Sequence, residues 1–317
     1  VDSINNTVHA IYGALQPPQH SIEKKIYQMP QNTILRCAAL YQNLQEGFSL
    51  PDYSEELIEI CKREKHVVLL GEAGGGKSIA IQQLAAKVYE TIYYPLLYNL
   101  NRYVDESIQQ IIEEEYPSKD FGKLFLIFDA FDEIEDKHKN TFARRLNTFS
   151  EKYKETIIII TSRNNFYRFS DNSEEGLFKS FKEYGIVPLC QKNIETYAVD
   201  NDISPQDFST EINNQNLHDI AVIPFYLREL VNIYKRNNGL PEKSDIMQEI
   251  VRNRFDKDCT KYATTKEIED YEFQIFLNLQ KLAFGIQCFN TKNLSNVDYQ
   301  KLFPNNDERT LIKYSGI

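Results

Sequence analysis

The sequence predicts an α/β fold, a parallel sheet with helices on both faces, followed by a largely helical region. Three observations carry this prediction. Between Val67 and Leu189, short apolar runs alternate with amphipathic helical patterns, as expected for strands buried on both sides and joined by crossover helices. A glycine-rich stretch, Gly71-Glu72-Ala73-Gly74-Gly75-Gly76-Lys77-Ser78, separates the first run from the first helical pattern. A later run, Leu124-Phe125-Leu126-Ile127-Phe128, ends in acids at Asp129, Asp132 and Glu133.

Residues 1–30 read as a linker broken by Pro17, Pro18 and Pro30. The spacing from Ile34 to Leu44 predicts a helix. A second helix, carrying Leu57, Ile58 and Cys61, is expected to start near Asp52 or Ser54, with Glu55 and Glu56 in its first turn. Val67–Leu70 is the first strand, and Ile79, Ile81, Leu84, Ala85 and Val88 form the apolar face of the next helix. Tyr94–Leu100 reads as a second strand whose Pro95 suits an edge position or a strand start. Ile108, Ile111 and Ile112 mark a helix that ends before Pro117. The acid-tipped third strand follows, and then a helix marked by Phe142, Leu146 and Phe149. Thr156–Ser162 is a fourth buried strand with Arg163 at its tip, and Gly185–Leu189 a shorter fifth. Beyond it the strand pattern stops. Helical stretches follow around Ile194–Val199, Phe225–Tyr234, Ile246–Phe255 and Tyr271–Ile286.

Length and composition narrow the function classes. With 317 residues the chain has room for two or three domains, and 42% hydrophobic residues supply a core. It begins without Met and reads as a piece of a larger protein. A net charge of −10 argues against a general nucleic-acid surface. No stretch is long and apolar enough to span a membrane. The five cysteines, Cys37, Cys61, Cys190, Cys259 and Cys288, lack any C-x-x-C pair. That speaks against a zinc site and for a reduced, cytoplasmic setting. The five histidines show no metal-ligand spacing.

The glycine-rich stretch has the form G-x-x-x-x-G-K-S between a strand and a helix, the context a phosphate-binding loop requires. Glycines let the backbone turn tightly and bring its N–H groups close to phosphate oxygens. The following helix adds the partial positive charge of its N-terminus. Lys77 can reach the β- and γ-phosphates, and the Ser78 hydroxyl can hold Mg²⁺. Asp129, at the end of a buried strand, can hold the same metal, and Asp132 and Glu133 can polarise an attacking water. Arg163 is suited to contact a γ-phosphate, because its charge is permanent. A guanine-reading N-K-x-D motif is missing, which favours ATP over GTP.

With Asp129-Ala130-Phe131-Asp132-Glu133 following the phosphate loop, the chain resembles the NACHT family of STAND P-loop NTPases, nucleotide switches of the NOD-like-receptor type. The resemblance covers about residues 60–260 by motif and order. It implies a P-loop NTPase with ATP/ADP and Mg²⁺ as cofactors. Gly71, Glu72, Ala73, Gly74, Gly75, Gly76, Lys77, Ser78 and Ile79 then bind nucleotide, joined by Arg163 as the sensor residue and by Pro224 near the base. Ser78 and Asp129 hold the metal, and Asp132 or Glu133, with Lys77, serves slow hydrolysis. Asn164 and Asn165 stand where the family more often has proline. The implied domains are a linker and helix over 1–50, the nucleotide-binding domain over 51–195, a helical domain over 196–262 and the start of a winged-helix domain over 263–317.

The resemblance also implies a mode of action. ADP holds a closed form, and exchange for ATP opens the protein, drives self-oligomerisation and activates an attached effector. The effector and sensor domains lie outside this sequence. The usual role of such switches is innate immunity, including antiviral defence in bacteria. An AAA-like mechanical or loading ATPase with steady turnover shares the same motifs, and a P-loop kinase shares the phosphate loop. A scaffold with a dead site fits poorly, since Lys77, Ser78, Asp129 and Glu133 are all present.

Overall fold

The computed structural model describes residues 27–31, 33–45, 54–116, 120–164, 167, 177–262, 272–288, 296–305 and 307–309. Pro17, Pro18, Asp52, Pro117, Asn165 and the Ser315–Ile317 end of the expected winged-helix segment lie outside these residues.

The strands are β1 (Cys37–Leu40), β2 (Glu55–Glu56), β3 (His66–Leu70), β4 (Tyr94–Asn99), β5 (Leu124–Asp129), β6 (Ile157–Ser162) and β7 (Lys182–Ile186). They form one seven-stranded sheet in the order β2-β1-β7-β3-β6-β5-β4. β7, β3, β6, β5 and β4 run parallel, while β1 pairs antiparallel with both β7 and β2. The helices are α1 (Tyr41–Gln45), α2 (Leu57–Glu64), α3 (Lys77–Tyr89), α4 (Ile108–Glu115), α5 (Asp136–Lys152), α6 (Gln191–Asp200), α7 (Pro205–Asn214), α8 (His218–Ala221), α9 (Pro224–Asn237), α10 (Lys243–Tyr262), α11 (Glu272–Cys288) and α12 (Asn296–Leu302).

Alternation along each strand sorts the core into two layers, because successive strand side chains point to opposite faces. Val68, Leu70, Leu126, Phe128, Ile158 and Ile160 meet α4 and α5 through residues such as Ile112, Phe142 and Leu146. Their strand neighbours Val67, Leu69, Phe125, Ile127, Ile157 and Ile159 meet α2 and α3 through Ile60, Ala80, Ile81 and Leu84. Burying one such Leu, Ile or Phe side chain contributes about 1.5–3 kcal/mol. A run with no polar member, such as Ile157–Ile160, therefore belongs at the sheet centre. β4 closes one edge, and its Pro95 needs no N–H on the open side.

Three elements depart from the sequence prediction. Residues 34–44 are not one helix: β1 occupies Cys37–Leu40 and only α1 is helical. Small Ala38 and Ala39 pair with Ile186 and Gly185, so sheet pairing overrides a helical spacing made of good helix formers. Gly185 leaves room for Leu44 of α1, which a Cβ would strike. Next, Glu55 and Glu56 form β2 rather than the first turn of α2. Each takes a cation: Arg63 Nη1 donates to Glu55 Oε2 at 2.5 Å and Lys87 Nζ to Glu56 Oε2 at 2.6 Å. Finally, the fifth central strand runs over Lys182–Ile186, earlier than expected, and stops before Pro188.

The chain divides into two compact units, Val1–Ser209 with His218–Arg228, and Thr210–Leu217 with Glu229–Ile317. The second unit is helical among its described residues, with Ile212, Leu217, Leu230, Val231, Ile246 and Ile250 buried. Within it, Glu211 Oε2 accepts from the Leu240 N–H at 3.2 Å, and Arg236 pairs with Glu249.

Candidate functional site

The loop between β3 and α3 has the backbone that its glycines predict. Gly74 and Gly76 lie in the left-handed region, at φ +73° and +87°, where a side chain is disfavoured. Gly76 is also the N-cap of α3 and supplies no side chain to its first N–H groups. Those donors are the ones a phosphate takes up. Gly71 serves a different need: a Cβ there would sit 2.6 Å from Ile186 Cγ2.

Lys77 Nζ folds back onto this loop, donating to the carbonyls of Gly71 at 2.7 Å and Glu72 at 3.1 Å. Burial lowers its pKa, opposed by Asp132, Asp129 and Glu72 and reinforced by Arg163. These groups lie at or just beyond the C-terminal ends of β3, β5 and β6. Ser78 is exposed and Ile79 half-buried at the start of α3.

Asp129 ends β5 and is held by the neighbouring strand. Thr161 Oγ1 donates to Asp129 Oδ1 at 2.6 Å and accepts from the Ala130 N–H at 2.9 Å. Ala130 is left-handed at φ +63° and bends the chain into the short 3₁₀ turn Phe131–Glu133. This turn separates the two candidate bases. The Asp132 side chain is 5% exposed and takes both the Arg163 Nε, at 2.9 Å, and the Arg163 backbone N–H, at 3.1 Å. Glu133 faces solvent. Asn164, which follows Arg163, donates from Nδ2 to Glu72 Oε1 at 3.1 Å, tying the tip of β6 to the phosphate loop.

A cavity of about 420 Å³ adjoins the loop. Leu70 and the Gly71–Ala73 segment form one wall, Ile186 and Pro188 another, and Val222–Pro224 a third. Pro224 Cγ lies 3.4 Å from where a Cβ on Gly76 would stand, and the Phe225 N–H donates to the Gly74 carbonyl at 3.3 Å. Pro224 thus meets the phosphate loop directly.

The donor set available to a cation is oxygen only: the Ser78 hydroxyl and the Asp129 carboxylate. Hard oxygen ligands suit Mg²⁺, which keeps several waters and shares substrate phosphates. Among the described residues no group of three or more His, Cys, Asp or Glu is placed to hold a metal ion.

Sequence reasoning missed Thr161 and Arg36. Thr161 is the first polar residue after four isoleucines in a fully buried strand, and a buried hydroxyl requires a partner. Arg36 interrupts the apolar stretch Ile34–Leu40, lines the cavity and is 5% exposed.

The fold is that of a P-loop NTPase: a central parallel strand, a phosphate loop and a helix, with an acid-tipped strand at the same sheet end. Residues 50–200 match the family model described as Novel STAND NTPase 3, nSTAND3. That stretch runs from β2 through α6. Among solved structures, the chain is similar to Aeropyrum pernix ORC1 in complex with DNA, at 12% identity and a TM-score of 0.44, over 84% of each chain. It is similar to AMPPCP-bound DnaA from Aquifex aeolicus, at 14% identity and a TM-score of 0.38, over 81% of this chain and 84% of that one. It is also similar to the S. cerevisiae Hsp104–ADP complex, at 14% identity and a TM-score of 0.40, over 82% of this chain but 37% of that one. No curated protein matches the chain. None of its helices, among the described residues, is long and apolar enough to cross a membrane.

Proposed function

We propose that this chain is the nucleotide-binding part of a STAND-class switch that distinguishes ATP from ADP and hydrolyses ATP slowly. The observation that carries this reading is the Arg163–Asp132 pair beside Lys77. A γ-phosphate entering between Lys77 and Arg163 competes with Asp132 for the guanidinium. ADP has no such group and leaves the pair closed. The two nucleotides then favour two arrangements of the same residues, which is the unequal binding a switch requires.

The roles of the acids follow from their surroundings. Asp132, nearly buried and held at two points, is the counter-ion that Arg163 must exchange. Glu133, exposed on the same turn, is the better placed base for an attacking water. Ser78 and Asp129 hold Mg²⁺ when a nucleotide brings it, and that ion supplies charge neutralisation on the phosphates. Thr161 keeps Asp129 aimed at the site.

In the wider switch, ADP marks the resting state, and ATP drives opening, self-oligomerisation and activation of an attached effector in cytoplasmic immune or anti-phage defence. These points rest on the match to the STAND NTPase model and on the motif resemblance. The deciding measurement is chromatographic identification of the nucleotide released when the purified protein is denatured. Retained ADP supports the switch. Guanine nucleotide overturns the ATP assignment, and an empty site with fast, steady ATP turnover favours an AAA-like ATPase.

A further inference from the structure

Two neighbouring residues at the tip of β6 are tied in different directions. Arg163 is held by the acid turn, its Nε and its backbone N–H both donating to Asp132. Asn164 reaches the phosphate loop instead: its Nδ2 donates to Glu72 Oε1, across 92 positions of sequence. Glu72 is itself fixed in that loop. Its backbone carbonyl accepts from the Gly75 N–H at 3.2 Å and from Lys77 Nζ at 3.1 Å. A pull on Glu72 is therefore a pull on the loop. The link joins the segment that receives phosphates to the strand tip that carries Arg163.

The chemistry of the link makes it easy to open. An ionised carboxylate only accepts, so the NH₂ end of Asn164 faces Glu72 and its Oδ1 is left on the other side. That Oδ1 is buried with no hydrogen-bond partner. A buried acceptor left unpaired costs about as much as one hydrogen bond to a charged group returns. The closed link is therefore close to balance, and a small shift of the strand tip is enough to release it. Proline, more frequent at this place in the family the chain resembles, has no donor to offer.

We propose that the Asn164–Glu72 link is a clasp that retains ADP and yields to ATP, and so sets how fast the switch exchanges its nucleotide. This rests on the nucleotide-binding reading above and adds the regulation of that same site. With ADP, Arg163 stays on Asp132 and Asn164 stays on Glu72. The loop is then fastened to the strand tip, which opposes the parting of the groups around the phosphates. A γ-phosphate draws the Arg163 guanidinium from Asp132. Asp132 holds the Arg163 backbone N–H as well, so its displacement loosens the backbone on which Asn164 sits. The clasp, being near balance, opens. A contact made in one nucleotide state and lost in the other favours the state that has it.

Stopped-flow release of fluorescently labelled ADP and of a labelled, non-hydrolysable ATP analogue from the whole chain tests this. The wild type is compared with Asn164→Ala, Glu72→Ala and the double variant. ADP should leave each variant about ten-fold faster, the loss of one hydrogen bond to a charged group, while release of the ATP analogue stays within about two-fold of wild type. The double variant should release ADP no faster than either single one, because both remove the same contact. Glu72→Gln keeps an acceptor for Nδ2 and should recover most of the retention. Equal acceleration of both nucleotides would mean that the link only shapes the loop. Unchanged ADP release would mean that it retains nothing, and effects that multiply in the double variant would mean that the two residues act separately. Each of these results overturns the proposal. A wild type that binds neither nucleotide refutes the nucleotide-binding reading itself, a result distinct from any failure of the clasp.

Discussion

Thr161 offers the sharpest test of how the site is held. The side chain is fully buried, donates to Asp129 and accepts from the Ala130 N–H. Thr161→Val keeps the shape and removes both contacts. The Ala130 N–H then loses its acceptor, a cost of about 1–3 kcal/mol. Asp129 is half-buried and recovers part of its loss from water. A net destabilisation of about 2 kcal/mol is expected, or about 4–8 °C in Tm for a unit of this size. The second consequence is functional. Asp129 loses the donor that orients it, so Mg²⁺-dependent ATP binding should weaken about ten-fold, while ADP binding in a chelator stays close to wild type. Thr161→Ser, which retains the hydroxyl, should restore most of both properties. Thermal unfolding and Mg²⁺ titration measure the two effects. A valine variant with unchanged Tm and an unchanged Mg²⁺ midpoint refutes the reasoning.

Other perturbations act on separate parts. Gly71→Ala forces a Cβ within 2.6 Å of Ile186 Cγ2, so about 1–3 kcal/mol of stability should be lost in denaturant unfolding; Gly71→Ala combined with Ile186→Ala should recover part of it. Arg163→Ala should narrow the difference between ATP and ADP affinity to within about three-fold, because the phosphate-dependent exchange with Asp132 disappears; an undiminished gap in competition binding removes Arg163 from sensing. Glu133→Gln should slow single-turnover hydrolysis about 100-fold with little change in ATP affinity, and unaltered turnover would exclude it as the base. His66 is nearly buried, stacks on Phe181 at 5.2 Å, and has its pKa lowered by burial below the usual 6.5, with a backbone hydrogen bond to Thr156 acting the other way and Lys65 adding to the lowering. Its neutral form is favoured in the fold, so stability is complete above about pH 6.5 and declines as the pH falls and the unfolded chain takes up the proton first. His66→Phe should flatten that part of the Tm–pH curve, and a wild-type Tm that does not fall below pH 6.5 would contradict the assignment.

The central fold was legible because its signals are local. Val67–Leu70, Leu124–Phe128 and Ile157–Ile160 are apolar runs that only a doubly covered strand explains, and G-x-x-x-x-G-K-S carries its own backbone requirement at Gly74 and Gly76. Lys77, Asp129, Asp132 and Arg163 were singled out on equally local signals: Lys77 opens the helix after the glycine loop, and the other three lie at or just beyond the tip of a strand. Their grouping at one end of the sheet follows from parallel strands bringing their C-terminal ends together.

What tertiary structure alone decided lies at the sheet edge and in the pairing of side chains. The spacing over Ile34–Leu44 is compatible with a helix, and only β7, about 150 residues away and exposing Gly185 and Ile186, makes it a strand. Arg36 and Gln83 look like ordinary polar residues in sequence, yet they meet across 47 positions to fasten that strand. That Arg163 pairs with Asp132 likewise depends on long-range geometry, at a turn begun by left-handed Ala130. Composition and periodicity record which residues seek burial. Which distant partner satisfies a buried charge or an edge strand is set by long-range geometry, and no local pattern encodes it.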